Sequence, residues 1–189
     1  MAQVTSRCWC SFAQSVKSLG YYFGEAVVRV FFLAFAVVIT AALASAAQEA
    51  VFVIRHAEKE LRGEDPAITN AGRNRAAAWA DMLQHAGLDI VITSDARRTQ
   101  QTGQIIADKL GLPLTSMNRN DTAGLIDTLS FDHEEDTVLV VGHAETIPGI
   151  LRNLGASEEI DISQTDFANL FVLTQSEAND PYLIRMRMP

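Results

Sequence analysis

Three short apolar runs, each closing on polar or charged residues and each followed by a helical pattern, restrict this chain to an α/β layer architecture. Ala50–Arg55 (AVFVIR), Asp89–Thr93 (DIVIT) and Thr137–Val141 (TVLVV) are nearly continuous in hydrophobicity, as buried parallel strands are when helices cover both faces of their sheet. Asn70–His85 places Trp79, Met82, Leu83 and Ala86 at i, i+3, i+4 and i+7 and stops at Gly87, which reads as a helix with one apolar stripe. Ala96–Leu110 is a second helix with Gly111 and Pro113 just beyond it, and Ala123–Leu129 a shorter third. A further helix starting near Thr146 carries Ile147, Ile150, Leu151 and Leu154 before Gly155 ends it. Leu170–Thr174 and Tyr182–Met188 read as two closing strands, paired through a turn at Glu177–Pro181. Ligands of such sheets bind outside the carboxyl ends of the strands. Those ends carry Arg55-His56, Ser94-Asp95 and Gly142-His143.

The N-terminal region has a different character. Val30–Ala47 is an uncharged run of 18 residues, preceded by Arg7, Lys17 and Arg29 with only Glu25 as an acid, and closed by Ala44-Ser45-Ala46. Small residues in that pattern suit a signal peptidase, so the run reads as a secretory signal cleaved near Ala46. An uncleaved signal-anchor is the rival, because a run of this length lies at the lower edge of what spans a bilayer. Either way residues after 47 are expected in the periplasm or otherwise exported, with membrane contact only through residues 30–47. The stretch before the apolar run is long for such a leader, so it is either an extra cytoplasmic tail or a start assigned too early. Cys8 and Cys10 both lie there and read as incidental thiols, which leaves the exported part no disulfide.

The expected organisation is therefore a leader over residues 1–46 and one domain over residues 47–189. The whole chain has 15 basic and 23 acidic residues; setting aside the three basic residues and one acid of the leader leaves 12 against 22, a charge of −10. That excludes a nucleic-acid binder that neutralises phosphates over a broad surface, and it requires any anion site to be a local pocket.

Two histidines and an arginine at separate strand ends suit phosphoryl chemistry. Arginine offers a planar fork that matches phosphoryl oxygens, and imidazole can attack phosphorus to form a covalent intermediate. Nearby positive charge keeps the attacking nitrogen free at neutral pH. Arg55-His56-Ala57-Glu58 resembles the first signature of the histidine phosphatase (phosphoglycerate mutase-like) superfamily, placed directly after the first strand. The run from Ser94 through Arg98 to Thr102 resembles the second, with a serine, an arginine four positions on and a threonine eight positions on. Val141-Gly142-His143 resembles the third, and Ile68-Thr69-Asn70-Ala71-Gly72 approximates a Leu-Thr-x-x-Gly motif. Short length and the lack of a large insertion resemble small bacterial phosphohistidine phosphatases and related exported members.

The resemblance implies a three-layer α/β/α sandwich with a mostly parallel central sheet. It also implies a nucleophile at His56, with Arg55, Arg98, His143 and the backbone at Ala144 binding the phosphoryl group of a small phosphorylated substrate. The mechanism it implies is metal-independent and needs no cofactor. The register selects Arg98 and leaves Arg97 to the surface, and the N–H groups of the helix near Thr146 are expected to face the same anion. Larger members carry a glutamate after the second helix; here the nearest carboxylate is Asp121, with Glu58 and Glu145 as rivals for the leaving-group acid.

The remaining polar residues read as structural. His85 suits the last turn of a helix, His133 sits in an acidic loop without metal-ligand spacing, and Trp79 belongs to the core. The leading expectation is an exported phosphomonoesterase acting through a phosphohistidine. A phosphomutase and a non-catalytic phosphate-binding module at the membrane are the alternatives, and neither the substrate nor the oligomeric state follows from these residues.

Overall fold

The structure, a computed structural model, describes residues 50–175 and 181–188. The expected leader with its cleavage site or anchor, both cysteines, and most of the Glu177–Pro181 turn lie outside the described residues. Among the described residues no helix is long and apolar enough to cross a membrane.

Six strands form one sheet: β1 (Val51–Arg55), β2 (Ile90–Ser94), β3 (Leu114–Met117), β4 (Val138–Gly142), β5 (Asn169–Gln175) and β6 (Pro181–Arg187), in the spatial order β3-β2-β4-β1-β5-β6. The pairs β1–β4, β2–β4 and β2–β3 are parallel, whereas β5 is antiparallel to β1 and β6 to β5. The helices are α1 (Asn70–Leu83), α2 (Arg97–Leu110), α3 (Thr122–Asp127), continued by a π-helical turn at Thr128–Asp132, and α4 (Ile147–Asn153).

Alternation of side chains along each strand divides the core into two layers. Val51, Val53, Ile92, Val140 and Phe171 face Leu125, Ile147, Ile150 and Leu151, from α3 and α4. Ile54, Val91, Leu139, Val141 and Val172 face Trp79, Leu83, Ile106 and Ala107, from α1 and α2. The expected α/β/α sandwich with a mostly parallel sheet is thus the observed fold, and burial on both faces explains why the central strands read as unbroken apolar runs.

Helix α1 departs from its expected stripe. Its buried face is Gly72, Ala76, Trp79, Ala80 and Leu83, and Met82 is 43% exposed. Trp79 and Leu83 are buried as expected, while Gly72, Ala76 and Ala80 complete the face, a signal that a search for large apolar side chains overlooks. Trp79 is fully buried, and its truncation to alanine would cost about 3–5 kcal/mol. Thr69 caps the helix by accepting from the Gly72 N–H at 3.0 Å. A Cβ on Gly72 would run into the carbonyl oxygen of Glu58, so the Thr-x-x-Gly pair docks the start of α1 onto the segment after β1.

Strand β3 was not expected. It is a short edge strand, and Thr115 and Ser116 at its centre are exposed, so it lacks the apolar run that marks β1, β2 and β4. Helix α1 ends at Leu83, which leaves His85 in an exposed turn beyond it. His133 pairs with Asp136 at 2.8 Å, and the described residues contain no cluster of three or more His, Cys, Asp or Glu able to hold a metal ion.

Candidate active site

Parallel pairing brings the two histidines together. Arg55 of β1 stands in register with Gly142 of β4, so the next residue of each strand leaves the sheet beside the other. These are His56 and His143, whose ring centroids lie 5.4 Å apart. Both are buried, at 2% and 3% exposure. Ser94, at the end of β2, bonds to His143 through Oγ and Nε2 at 2.8 Å. Arg98, in the first turn of α2, donates from its guanidinium to His143 Nδ1 at 3.1 Å.

Hydrogen-bond partners fix both tautomers. His56 Nδ1 lies 2.8 Å from the carbonyl oxygen of Ala57; that oxygen only accepts, so Nδ1 carries the hydrogen and Nε2 keeps its lone pair. Arg98 only donates, so Nδ1 of His143 accepts, and its Nε2–H donates to Ser94. From there the chain continues to Thr99, whose Oγ1 lies 2.7 Å from Ser94 Oγ and donates to the Ala96 carbonyl.

Burial holds the His56 pKa down to about 3; the bond to Ala57 opposes this, and the charges of Arg55, His143 and Arg98 add to it. His143 is lowered to about 4, first by burial and then by Arg98, with Glu145 opposing. Both rings are neutral at pH 7, the state in which Nε2 of His56 is nucleophilic.

A second layer of polar contacts fixes the nucleophile's backbone. Thr102 Oγ1 accepts from the Ala57 N–H at 3.0 Å and donates to the Arg98 carbonyl at 2.7 Å. One buried hydroxyl therefore ties the segment bearing His56 to the helix bearing Arg98. The serine, arginine and threonine of the second motif thus have separate tasks: holding His143, supplying charge, and bridging two elements.

Both site arginines hold a buried Nε without a partner. Arg55 spends NH1 on the carbonyls of Ser163 and Asp166, at 3.0 and 3.1 Å, and donates from NH2 to Gln164 Oε1 at 3.2 Å. Its guanidinium also stacks on Phe167, 4.2 Å from the ring centroid. Arg98 has Asp65 at 3.7 Å from NH1. An unpaired buried donor is costly, and two of them on arginines whose charges act on His56 make a site suited to an oxyanion.

The candidate residues divide as follows. The structure brings Arg55, His56, Arg98 and His143 together, while Arg97 is exposed. Ala144 follows His143 directly, and no hydrogen bond among the described residues occupies its N–H. The N–H groups expected of the helix near Thr146 differ, because Thr146 and Ile147 both donate to the His143 carbonyl, at 3.1 and 3.0 Å. The chain reversal consumes them, so they do not face an anion.

Asp121 lines a cleft with His143, Ser94, Asn118, Arg119 and Thr146, a lining that does not include His56, Arg55 or Arg98. Its Oδ1 caps α3 by accepting from Gly124 N at 2.9 Å. Glu58 is held by Arg75, with both contacts at 2.7 Å. Glu145 accepts from Gln164 at 2.8 Å; burial raises its pKa, but its own backbone N–H, Gln164, His143 and Arg55 together pull it below the usual carboxylate range.

Sequence reasoning missed Asp65, Arg119 and the whole Ser163–Phe167 segment. Asp65 caps α2 from a distance, accepting from the Arg97 N–H at 3.1 Å. Arg119 pairs with Asp95 at 2.9 Å. Ser163 and Asp166 act on Arg55 through backbone carbonyls, which leave no mark in a sequence.

The matched family is the histidine phosphatase superfamily, branch 1. Its model matches residues 51–121, the stretch that holds the first two motifs. The protein named probable phosphoglycerate mutase GpmB, from Yersinia enterocolitica, is 37% identical over 73 residues, which cover 35% of this chain and 34% of that protein. The chain thus spans about a third of the length of the curated relatives it matches.

The solved structure of the protein histidine phosphatase SixA complexed with tungstate aligns with a TM-score of 0.58 at 19% identity, covering 73% of this chain and 96% of that one. A mycobacterial glucosyl-3-phosphoglycerate phosphatase complexed with VO3 aligns with a TM-score of 0.60 at 15% identity, covering 75% and 100%. At such identities the likeness shows the fold, and the fold is that of histidine phosphatases. The family match and the solved neighbours point to the same group, histidine phosphatases and phosphoglycerate mutase-like proteins.

Proposed function

We propose that this protein is an exported phosphomonoesterase that works through a phosphohistidine on His56. One observation carries this reading: the Ala57 carbonyl fixes the hydrogen of His56 on Nδ1, which leaves Nε2 unprotonated within the field of Arg55 and Arg98, each of which holds a buried, unpaired Nε. The apolar run at Val30–Ala47 supports export.

In the first step Nε2 attacks phosphorus and the ester oxygen departs, taking a proton as it leaves. Arg55 and Arg98 hold the non-bridging oxygens, on which negative charge is stabilised during transfer. The Ala144 N–H and His143 stand beside them. Water then attacks the phosphohistidine, the P–N bond breaks, inorganic phosphate forms, and the neutral imidazole returns. We assign the leaving-group proton to Asp121, which shares a cleft with His143 and Ser94 and keeps Oδ2 free of the bond by which Oδ1 caps α3; Glu58 is paired with Arg75 through Oε1, and Glu145 is pulled below the usual carboxylate range.

The names of the curated relatives favour a second reading, a mutase that returns the phosphoryl group to its substrate. Single-turnover kinetics separate the two, since a phosphatase releases inorganic phosphate from the phosphoenzyme without a second substrate molecule. The test of the enzyme reading is a screen of the full chain against small phosphoesters, with His56→Ala as control. Turnover lost in the control supports the proposal; no turnover of any ester at neutral or mildly acid pH overturns it and leaves the phosphate-binding module.

A further inference from the structure

Arg55 owes its aim to a single loop. Ser163, Gln164, Asp166 and Phe167 hold its guanidinium along two edges and one face. NH1 donates to two carbonyl oxygens and NH2 to Gln164, which leaves the buried Nε as the donor without a partner. A guanidinium donor of this kind suits a phosphoryl oxygen. Wherever the loop sits, Nε points accordingly.

The loop has no regular structure of its own; Gln164 donates to Glu145 at 2.8 Å, and the remaining side-chain ties to the sheet gather on Asp166. Asp166 Oδ2 accepts from Arg187 at 2.6 Å and from Asn169 at 2.7 Å, while Oδ1 accepts from the Ala168 N–H at 3.1 Å. Asn169 Oδ1 in turn accepts from Arg185 and Arg187 at 3.1 to 3.2 Å. Arg185 and Arg187 belong to β6, an edge strand whose side chains are otherwise largely exposed. The bond from Arg187 is the main reason that the Asp166 pKa falls to about 2, so the pair stays ionised at any working pH.

We propose that Asp166 and Arg187 are positioning residues for catalysis: their ion pair bolts the Ser163–Phe167 loop to the last strand and thereby aims Arg55 at the phosphoryl group. The C-terminal strand is then part of the catalytic apparatus although it supplies no group that touches substrate. The Arg187 side chain is 57% exposed, and an ion pair so open to water adds little to global stability. Its removal should therefore register in the site rather than in the melting temperature.

This proposal rests on the phosphatase reading, and its experiment has an arm that does not need turnover. In the full chain, Arg187→Gln and Arg187→Lys are compared with wild type in hydrolysis of an aryl phosphate, in affinity for inorganic phosphate, and in Tm. Arg187→Gln is expected to lose about tenfold in kcat/KM and in phosphate affinity, with Tm nearly unchanged, and Arg187→Lys to recover most of both. In an Arg55→Lys background the Gln substitution should have no further effect, because the residue it aims is gone. A full additional loss in that background, or unchanged values in Arg187→Gln, overturns the proposal. If wild type binds phosphate but hydrolyses nothing, the phosphatase reading fails while the binding arm still decides the positioning role; if wild type does neither, both fall.

Discussion

The imidazoles of His56 and His143 meet edge to face, with their planes at 62°, and both remain neutral although they share a pocket with two arginines. In-register pairing of Arg55 with Gly142 makes the meeting unavoidable, and burial keeps both rings uncharged. A phosphoryl dianion entering this pocket favours the protonated forms. Binding should therefore be coupled to proton uptake, at Nδ1 of His143 once Arg98 turns from it to the phosphoryl group.

Acid should destabilise the protein earlier than carboxylate titration alone would. The folded pKa values of about 3 and about 4 lie below the ordinary value of 6.5. Between 6.5 and those values the unfolded chain binds more protons than the native one, so stability is complete above pH 6.5 and falls as pH drops. Each histidine contributes a slope of up to about 1.4 kcal/mol per pH unit. Urea midpoints at pH 7 and pH 5 should show the loss, the double variant His56→Gln/His143→Gln should flatten it, and inorganic phosphate should offset it in the wild type. Equal stability at the two pH values contradicts the assignment of buried neutral rings.

Thr102→Val should damage both folding and turnover. Valine keeps the shape but leaves the buried Ala57 N–H without its 3.0 Å acceptor. The cost is about 1–3 kcal/mol in chemical denaturation. Since Ala57 also holds Nδ1 of His56, kcat should fall while the KM for a small ester changes little. A variant with wild-type kcat would show that the backbone after β1 needs no such tie.

Asp121→Asn should separate substrates by leaving group. Asparagine caps a helix as well as aspartate, so stability is expected to hold. Alkyl phosphates, whose departing oxygen needs a proton, should lose about a hundredfold in kcat. Aryl phosphates should be nearly unaffected. Unchanged kinetics on both classes would remove Asp121 from the mechanism.

Much of the site was legible because each signature is tied to a strand end. Strands β1, β2 and β4 are buried on both faces, so their apolar runs stop where the chain emerges, and the residues at those stops are Arg55-His56, Ser94 and His143. The choice of Arg98 over Arg97 came from the register of the second signature that the resemblance supplies, and the structure places Arg98 against His143 and leaves Arg97 exposed. What escaped notice lacks side-chain chemistry or hydrophobicity. The seat of Arg55 is built from carbonyls of Ser163 and Asp166, β3 has two exposed polar residues at its centre, and the face of α1 keeps the expected Trp79 and Leu83 but is completed by Gly72, Ala76 and Ala80 in place of Met82. The N–H groups near Thr146 were misjudged because a tight reversal onto the His143 carbonyl cannot be told from an open helix start by sequence.

The central claim is that phosphorus becomes bonded to His56. Full-length protein mixed with a phosphoester it hydrolyses, quenched in alkali to preserve phosphohistidine, and digested for mass spectrometry tests this directly. One phosphoryl group on the peptide containing His56, formed and lost at rates that match turnover and absent from His56→Ala, is the predicted result. Steady turnover with no phosphorylated intermediate, or a phosphoryl group carried by another residue, would contradict it.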